Sequence, residues 1–265
     1  MNTLSFNIHD DIATLMIERE ATRNAIDVTI IRAMHTALDQ LDKADHRARA
    51  VVITGSNGVF CSGVDLHSVD LTNEEARQRA HFDIRRFMDP LIVRLNSFRY
   101  PIVAAINGPA VGVGMSLALA SDIIVVADDA YFCPSFARLG MIPDAGITFN
   151  LARRIGAGRS LATLMLAERI DAQTALAWGL AYAVVPAGEI TARAHDIARR
   201  LAAGPRAVLT SIRALQTCSF DTSLQDQLRA ERSAQQSALK SHDCVEGVRA
   251  FFERREPHFA PPEKS

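Results

Sequence analysis

The pattern of apolar and polar positions in the first half of the chain predicts strands that alternate with helices. Short apolar runs bounded by turn residues indicate strands, and apolar residues at helical spacing indicate amphipathic helices. The segment 28–41 is such a helix, because its apolar residues follow the helical period and Asp27 stands at the capping position. The predicted strands cover residues 4–9, 13–18, 50–54, 102–106, 123–127 and 183–185.

From residue 146 onward the pattern is mostly helical. The predicted helices besides 28–41 cover residues 73–96, 115–120, 147–154, 159–167 and 172–178, followed by helical segments between 190 and 255. Strands that alternate with helices, followed by a helical last third, predict an α/β fold with a helical appendage. We divide the chain into a core, residues 1–195, that carries the active site, and a C-terminal helical region, residues 196–265.

Composition narrows the class of protein. Of 265 residues, 48% are hydrophobic, which is enough for a sizeable core, and the 29 basic and 30 acidic side chains nearly cancel. That balance argues against a nucleic-acid partner. The four cysteines lie far apart, so we expect buried thiols with neither a disulfide framework nor a metal site. Neither a signal peptide nor a membrane span is visible, and we expect a soluble cytoplasmic protein.

Two glycine-containing loops each follow a predicted strand and are the candidate sites of chemistry. The first covers residues 59–66, and the second, residues 107–115, leads directly into a helix. Glycine permits close backbone approach to a ligand, and the first N–H groups of a helix are unpaired and partly positive. Such a helix end suits an oxygen atom that becomes negative during a reaction. The glycines of the second loop do not fit a dinucleotide-binding pattern.

Together these loops and other motifs resemble the enoyl-CoA hydratase/isomerase (crotonase) family, most closely its phenylacetate-pathway isomerases. The likeness covers nearly the whole chain, from about residue 23 to residue 259. Its motifs lie at residues 23–26, 60–66, 101–122, 139–144, 175–180 and 246–259. The resemblance implies a spiral core of repeated β-β-α turns with a helical C-terminal region that forms a homotrimer or a dimer of trimers.

The resemblance also implies how a substrate would be held. In the family, two main-chain N–H groups bind the thioester oxygen of an acyl-CoA substrate, and these fall at Val64 and Val113. No permanently bound cofactor is implied, since coenzyme A enters as part of the substrate. The other residues implied to contact the substrate or CoA are Arg23, Ala25, Ser62, Gly63, Asp65, Leu66, Gly112, Phe136, Phe251 and Arg254. For the last two, a core Phe251 and a solvated Arg254 are the alternative.

The acid/base set departs from that of the hydratases in the family. Their two glutamates correspond to Ser116 and Phe136, neither of which transfers protons as a carboxylate does. Asp144 matches an aspartate that some double-bond isomerases and an aryl-CoA dehalogenase retain, and we predict that it is the acid/base. A helix cap is the alternative for Asp144. Asp89 can line the same pocket, although a solvated or capping role is favoured for it.

The favoured function is therefore double-bond isomerisation of an acyl-CoA thioester, with Asp144 moving a proton and backbone donors holding an enolate. The first alternative is an enoyl-CoA hydratase with a reduced acid set. A non-catalytic acyl-CoA-binding protein is a further alternative, and an RNA-binding relative is disfavoured by the balanced charge.

Overall fold

A six-stranded sheet, with the order β1-β2-β3-β4-β6-β9, forms the centre of the computed structural model. The structure describes residues 3–43, 48–68, 70 and 72–259. Strands β1 and β2 are antiparallel, and every later neighbour in the sheet is parallel. The strands are β1 (Leu4–His9), β2 (Ile12–Ile17), β3 (Ala50–Gly55), β4 (Ile102–Ile106), β6 (Ile123–Ala127) and β9 (Ala183–Val185). All six predicted strands are thus confirmed within a residue or so at their ends.

A second, three-stranded sheet has the order β5-β7-β8 and was not predicted. Its strands are β5 (Ala110–Val111), β7 (Tyr131–Cys133) and β8 (Ile170–Asp171). Runs of two or three residues are too short to show an alternating pattern, which is why the sequence does not reveal them. The second glycine loop contributes to this sheet, because β5 lies within residues 107–115.

Helices pack on the central sheet and form the C-terminal region. The α-helices are α1 (Val28–Asp42), α2 (Glu74–Asp83), α3 (Asp89–Asn96), α4 (Val113–Leu119), α5 (Ile147–Ile155), α6 (Ala157–Leu166), α7 (Ala172–Ala177), α8 (Ile190–Ala202), α9 (Arg206–Cys218), α10 (Leu224–Leu239) and α11 (His242–Glu253). The Asp27 carboxylate accepts the Ile30 N–H group at 2.9 Å, so the predicted cap of α1 is confirmed.

The segment predicted as one helix over residues 73–96 is interrupted. A π-helical turn, Ile84–Met88, separates α2 from α3, and the backbone carbonyl of Phe87 in that turn lies 2.9 Å from His35 Nε2 on α1. π-Turns place an extra residue within a helix and often occur near functional sites. Here the turn immediately precedes Asp89, the first residue of α3.

The helical C-terminal region is heterogeneous. Helix α8 packs on strands of the central sheet and buries Ile190, Ala194, Ile197, Ala198 and Ala202. Helices α9 and α10 have no buried residue, and α11 has only Ala250. The proposed division at residue 195 therefore falls inside a helix that belongs to the core packing, and as a domain boundary it stays a prediction.

No helix in the described ranges is long and apolar enough to cross a membrane. Within the same ranges, no group of three metal-binding side chains is assembled. The expectation that all four cysteines are buried is wrong, because Cys218 is exposed and Cys244 is half-buried near the surface helices, while Cys61 and Cys133 are buried.

Candidate active site

The two glycine loops lie side by side and are joined by backbone hydrogen bonds. Cys61 and Ala110 form a parallel bridge, in which the Cys61 N–H group donates to the Pro109 carbonyl at 3.0 Å. The Val111 N–H group donates to the Cys61 carbonyl at 2.9 Å. Residues almost fifty positions apart are thereby fixed at neighbouring positions in space.

Gly63 and Gly112 allow the loops to approach this closely. Both have positive φ angles, 105° and 52°, which residues with a Cβ rarely adopt. A Cβ atom built on Gly63 would lie 3.2 Å from the Val111 carbonyl oxygen, and one built on Gly112 would lie 3.9 Å from the Gly63 Cα atom. The two backbones are therefore nearly in contact where the family motifs place the oxygen-binding groups.

The start of α4 is pressed against the first loop at Gly114. A Cβ atom at this position would lie 2.6 Å from the Cys61 carbonyl oxygen and 2.8 Å from the Cys61 sulfur. Burial raises the pKa of the Cys61 thiol to about 12, so this sulfur stays protonated and is not a nucleophile at neutral pH. Cys61 therefore acts as packing between the two loops.

The backbone directions are compatible with N–H groups that face a ligand. A parallel bridge joins Ile26 to Val64: the Ile26 N–H group donates to the Gly63 carbonyl at 2.7 Å, and the Asp65 N–H group donates to the Ile26 carbonyl at 2.9 Å. In this pattern the N–H group of Val64 itself points away from Ile26. Val113 is the first residue of α4, where no preceding turn supplies an acceptor. That both groups reach one oxygen atom remains a prediction.

Asp144 lies in the turn before α5, and its main chain is well anchored. Its carbonyl oxygen accepts hydrogen bonds from the Ser116 hydroxyl and from the Ile147 N–H group, both at 3.2 Å. The N-cap residue of α5 is Gly146, and no side chain caps this helix. The Asp144 carboxylate therefore does not have the capping role that was its alternative.

The carboxyl group of Asp144 makes no hydrogen bond to any other residue that the structure describes. Its Oδ1 atom is buried and has no hydrogen-bond partner among the described residues. Burial, with a smaller contribution from the negative charge of Asp89, raises the pKa of Asp144 to about 6, while its own backbone N–H group opposes the shift. A carboxylate with a pKa this close to neutrality can both accept and release a proton.

Helix α3 lies against the Asp144 turn. A Cβ atom on Gly146 would lie 3.2 Å from Cγ2 of Ile92, one helical turn after Asp89. The structure therefore brings Asp89 into the neighbourhood of Asp144, as the sequence suggested. Asp89 itself is exposed, which agrees with the solvated role that was favoured for it.

The two positions that carry glutamates in hydratases are filled here by buried side chains. Ser116 is fully buried, and its hydroxyl is directed to backbone carbonyls. Phe136 is 6% exposed, and its Cζ atom lies 3.9 Å from the position of a Cβ on Gly112. An aromatic ring therefore occupies the wall of the loop pair, and the structure supplies no carboxylate at these two positions.

An arginine that the sequence reasoning missed secures the first loop. Arg19 Nη2 donates to Asp65 Oδ2 at 2.9 Å, and Arg19 Nη1 donates to the Ala25 carbonyl at 2.9 Å. Asp65 is 5% exposed, so its carboxylate is already engaged within the protein. Its contact with a ligand stays a prediction. An arginine two residues after a strand gave no sequence signal, because its partner lies 46 residues away.

The remaining predicted contacts lie in two places. The Arg23 carbonyl accepts the Ser62 N–H group at 3.2 Å, so the 23–25 segment borders the first loop, where Ala25 is buried and Leu66 is partly exposed. Phe251 and Arg254 lie at the exposed end of α11. Phe251 is 78% exposed, so a core role within this chain is wrong, and its contact with CoA stays a prediction.

The mostly parallel sheet, the paired glycine loops and the half-buried carboxyl group of Asp144 together make this region the candidate active site of an α/β protein. Residues 7–262 match the family model described as enoyl-CoA hydratase/isomerase. A probable enoyl-CoA hydratase from Rhodobacter capsulatus is 34% identical over 97% of this chain and 98% of its own length. A 1,2-epoxyphenylacetyl-CoA isomerase from Escherichia coli is 31% identical over 98% of both chains.

A solved structure supports the same relationship. A putative enoyl-CoA hydratase/isomerase from Mycobacterium abscessus superimposes with a TM-score of 0.91 at 33% identity, over 97% of this chain and 99% of that one. The chain therefore belongs to the enoyl-CoA hydratase/isomerase family and has the crotonase fold.

Proposed function

We propose that the protein isomerises a double bond in an acyl-CoA thioester, with Asp144 as the proton carrier. Asp144 removes a proton from one carbon of the acyl group, which generates an enolate on the thioester oxygen. The same carboxylic acid then returns the proton to a different carbon, so the double bond moves and no atom is gained or lost. Coenzyme A is part of the substrate, and no further cofactor is needed.

The observation that carries this proposal is the isolated carboxylate of Asp144. Its buried Oδ1 atom lacks a protein partner, and its raised pKa, about 6, suits a group that takes up and gives back a proton. Ser116 and Phe136 stand where hydratases carry the pair of glutamates that activates water, so Asp144 is the carboxyl group that transfers the proton in this proposal. One carboxylate suffices for a proton shuttle, whereas the two-glutamate addition of water needs both.

The enolate needs stabilisation, and the loop pair supplies it in this proposal. The N–H groups of Val64 and Val113 belong to the peptide units that follow Gly63 and Gly112, whose backbones are nearly in contact. One such donor contributes roughly 3 kcal/mol to transition-state stabilisation in other enzymes. Val113 also stands at the N-terminus of α4, where the helix dipole favours negative charge.

Hydration is the second candidate, and two observations favour it. The relative from Rhodobacter capsulatus is named a probable enoyl-CoA hydratase, and Asp89 lies close enough to Asp144 to raise its pKa. In this alternative Asp144 activates water, and the exposed carboxyl group of Asp89 exchanges the second proton.

The test is a direct comparison of the two reactions. The purified protein is incubated with 3-enoyl-CoA and 2-enoyl-CoA thioesters of several acyl types. The products are separated by liquid chromatography, because the two enoyl isomers have the same mass, and the 3-hydroxyacyl product is identified by mass spectrometry. We expect interconversion of the two enoyl isomers at a rate well above that of 3-hydroxyacyl-CoA formation. Rapid formation of 3-hydroxyacyl-CoA would establish the hydratase instead. If neither product forms from any thioester, both candidate functions are refuted.

A further inference from the structure

A pit of about the size of a methyl group lies at the seam between the glycine loops. It is the space that a side chain on Gly112 would fill. Its walls are the Gly63 Cα atom at 3.9 Å, the Ser135 Oγ atom at 3.6 Å and the Phe136 Cζ atom at 3.9 Å from that Cβ position. The positive φ of Gly112 disfavours any side chain here, so the pit is a property of the backbone.

The pit adjoins the reacting end of the proposed substrate. Each of its two glycines shares a peptide unit with one of the candidate oxygen-binding groups, Val64 and Val113. Whatever part of the acyl group lies beside the thioester carbonyl therefore lies beside the pit wall. One side of this wall is the apolar ring of Phe136, and the other is the hydroxyl of Ser135.

The Ser135 hydroxyl is free to bind a ligand. Ser135 begins a short 3₁₀ helix, Ser135–Leu139, directly after Pro134, and it is half-buried. Its hydroxyl has no hydrogen-bond partner in the described part of the chain. By contrast, the hydroxyls of Ser62 and Ser116 are directed to main-chain carbonyls at 3.1 Å and 3.2 Å. Ser135 is therefore the serine near the loops whose hydroxyl remains unoccupied.

We infer that Ser135 is a specificity-determining residue that hydrogen-bonds an oxygen atom of the acyl group near its reacting carbons. This inference rests on the proposed function, because it assumes a thioester carbonyl between the loops. An acyl group with a hydroxyl or ether oxygen at this position gives the Ser135 hydroxyl a partner. A hydrocarbon acyl group would displace water from that hydroxyl without replacing its hydrogen bond, which is how polar sites reject apolar analogues.

The test is the affinity of two matched ligands, 3-hydroxybutyryl-CoA and butyryl-CoA, which differ by one oxygen. Their dissociation constants are measured by titration calorimetry in the Asp144→Asn background, so that neither ligand is consumed. We expect the hydroxylated ligand to bind about 3- to 10-fold more tightly, as one neutral hydrogen bond provides. Ser135→Ala should bring the ratio of the two constants close to one.

Two control variants separate recognition from structure. Ser135→Thr keeps a hydroxyl and should preserve the preference, and Ser237→Ala removes an exposed hydroxyl on α10 and should leave both constants unchanged. The inference is overturned if the preference persists in Ser135→Ala. It is also overturned if the Asp144→Asn protein with Ser135 in place shows no preference. These results concern the ratio alone, so they leave the proposed function intact; failure of both CoA ligands to bind would overturn the proposed function and the inference together.

Discussion

The two glycine loops and the last helices differ sharply in how much of their apolar surface is buried within the chain. Cys61 and Val113 are 0% and 1% exposed, and backbone bridges and close glycine contacts join the two loops. At the end of α11, Phe251 and Phe252 are 78% and 77% exposed, although their rings pack against each other with a distance of 5.6 Å between the ring centroids. Exposed apolar clusters of this kind mark contact surfaces.

From this difference we predict that turnover depends on the glycine loops and that association of subunits depends on the last helices. The loop pair is fixed by contacts within one chain, so a change there should alter turnover or stability directly. The exposed apolar residues of α10 and α11, which include Leu224, Leu228, Val248, Phe251 and Phe252, should respond through association. The proposed trimer or dimer of trimers would cover them by symmetric contact.

The largest effect, a loss of turnover, is expected from Asp144→Asn in the turn before α5. Removal of a general base lowers turnover by roughly a hundred- to ten-thousand-fold. The fold should survive, because the main-chain carbonyl of Asp144, which Ser116 and Ile147 contact, is kept. The measurement is kcat for the best thioester, together with the melting temperature and the affinity for a product analogue. Near wild-type turnover would exclude Asp144 as the base and make Asp89 the next candidate.

The second effect is expected where the loops touch, from Gly114→Ala. The new Cβ would lie 2.6 Å from the Cys61 carbonyl oxygen, so α4 must shift away from the first loop. Overpacking of this kind costs roughly 1–3 kcal/mol in the free energy of unfolding, and the displaced Val113 N–H group should also lower kcat. Urea denaturation and kinetics measure both changes.

Gly158→Ala is the matched control, since nothing lies within 4 Å of a Cβ at that position of α6. It should leave turnover unchanged and should not destabilise the protein. If Gly114→Ala behaved like this control, the close contact between α4 and the first loop would be disproved.

The third effect tests the helix side, through Phe251→Asp. A charge in an exposed apolar cluster should dissociate the assembly at micromolar concentration, because the charge would lose water on burial. Light scattering reports the mass, and the far-ultraviolet circular dichroism should stay unchanged because Phe251 is outside the core. Arg249→Asp, on the exposed surface of the same helix, is the control for added negative charge. A wild-type protein that is already monomeric would refute the assembly.

The smallest effect concerns the pH dependence of the loop side. As a base, Asp144 must be deprotonated, so kcat/KM should rise with pH through a midpoint near 6. Asp89→Asn removes a neighbouring negative charge and should lower that midpoint by less than about one pH unit. Asp83→Asn, at the end of α2, is the control. A midpoint that does not move would show that Asp89 has no influence on the base.

The same raised pKa predicts a small change in stability with pH. Below about pH 3 the Asp144 carboxyl is protonated in both the folded and the unfolded chain, and it has no effect on stability. Between about pH 4 and 6 the unfolded chain loses this proton more readily, so the folded state loses stability as pH rises. The Asp144→Asn variant lacks this titration. Its melting temperature minus that of the wild type should therefore be larger at pH 8 than at pH 4.

Local patterns were sufficient for much of the fold. The six strands of the central sheet and the Asp27 cap follow from residues close together in the chain, because burial and capping act at short sequence separation. The family was predicted on other grounds, from the resemblance of several ordered motifs, among them residues 60–66 and 101–122, to those of the enoyl-CoA hydratase/isomerase family. The short strands β5, β7 and β8 escaped detection, since two or three residues carry no period.

What the sequence determined by itself is the identity of the groups at the candidate site: two glycine loops, one aspartate, and a serine and a phenylalanine at the positions of two glutamates. Only the tertiary structure decided their chemical state. The isolation of the Asp144 carboxylate, the engagement of Asp65 by Arg19 and the free hydroxyl of Ser135 each depend on groups distant in the chain. Burial and hydrogen bonding are properties of the surroundings, and those surroundings exist only after the chain has folded.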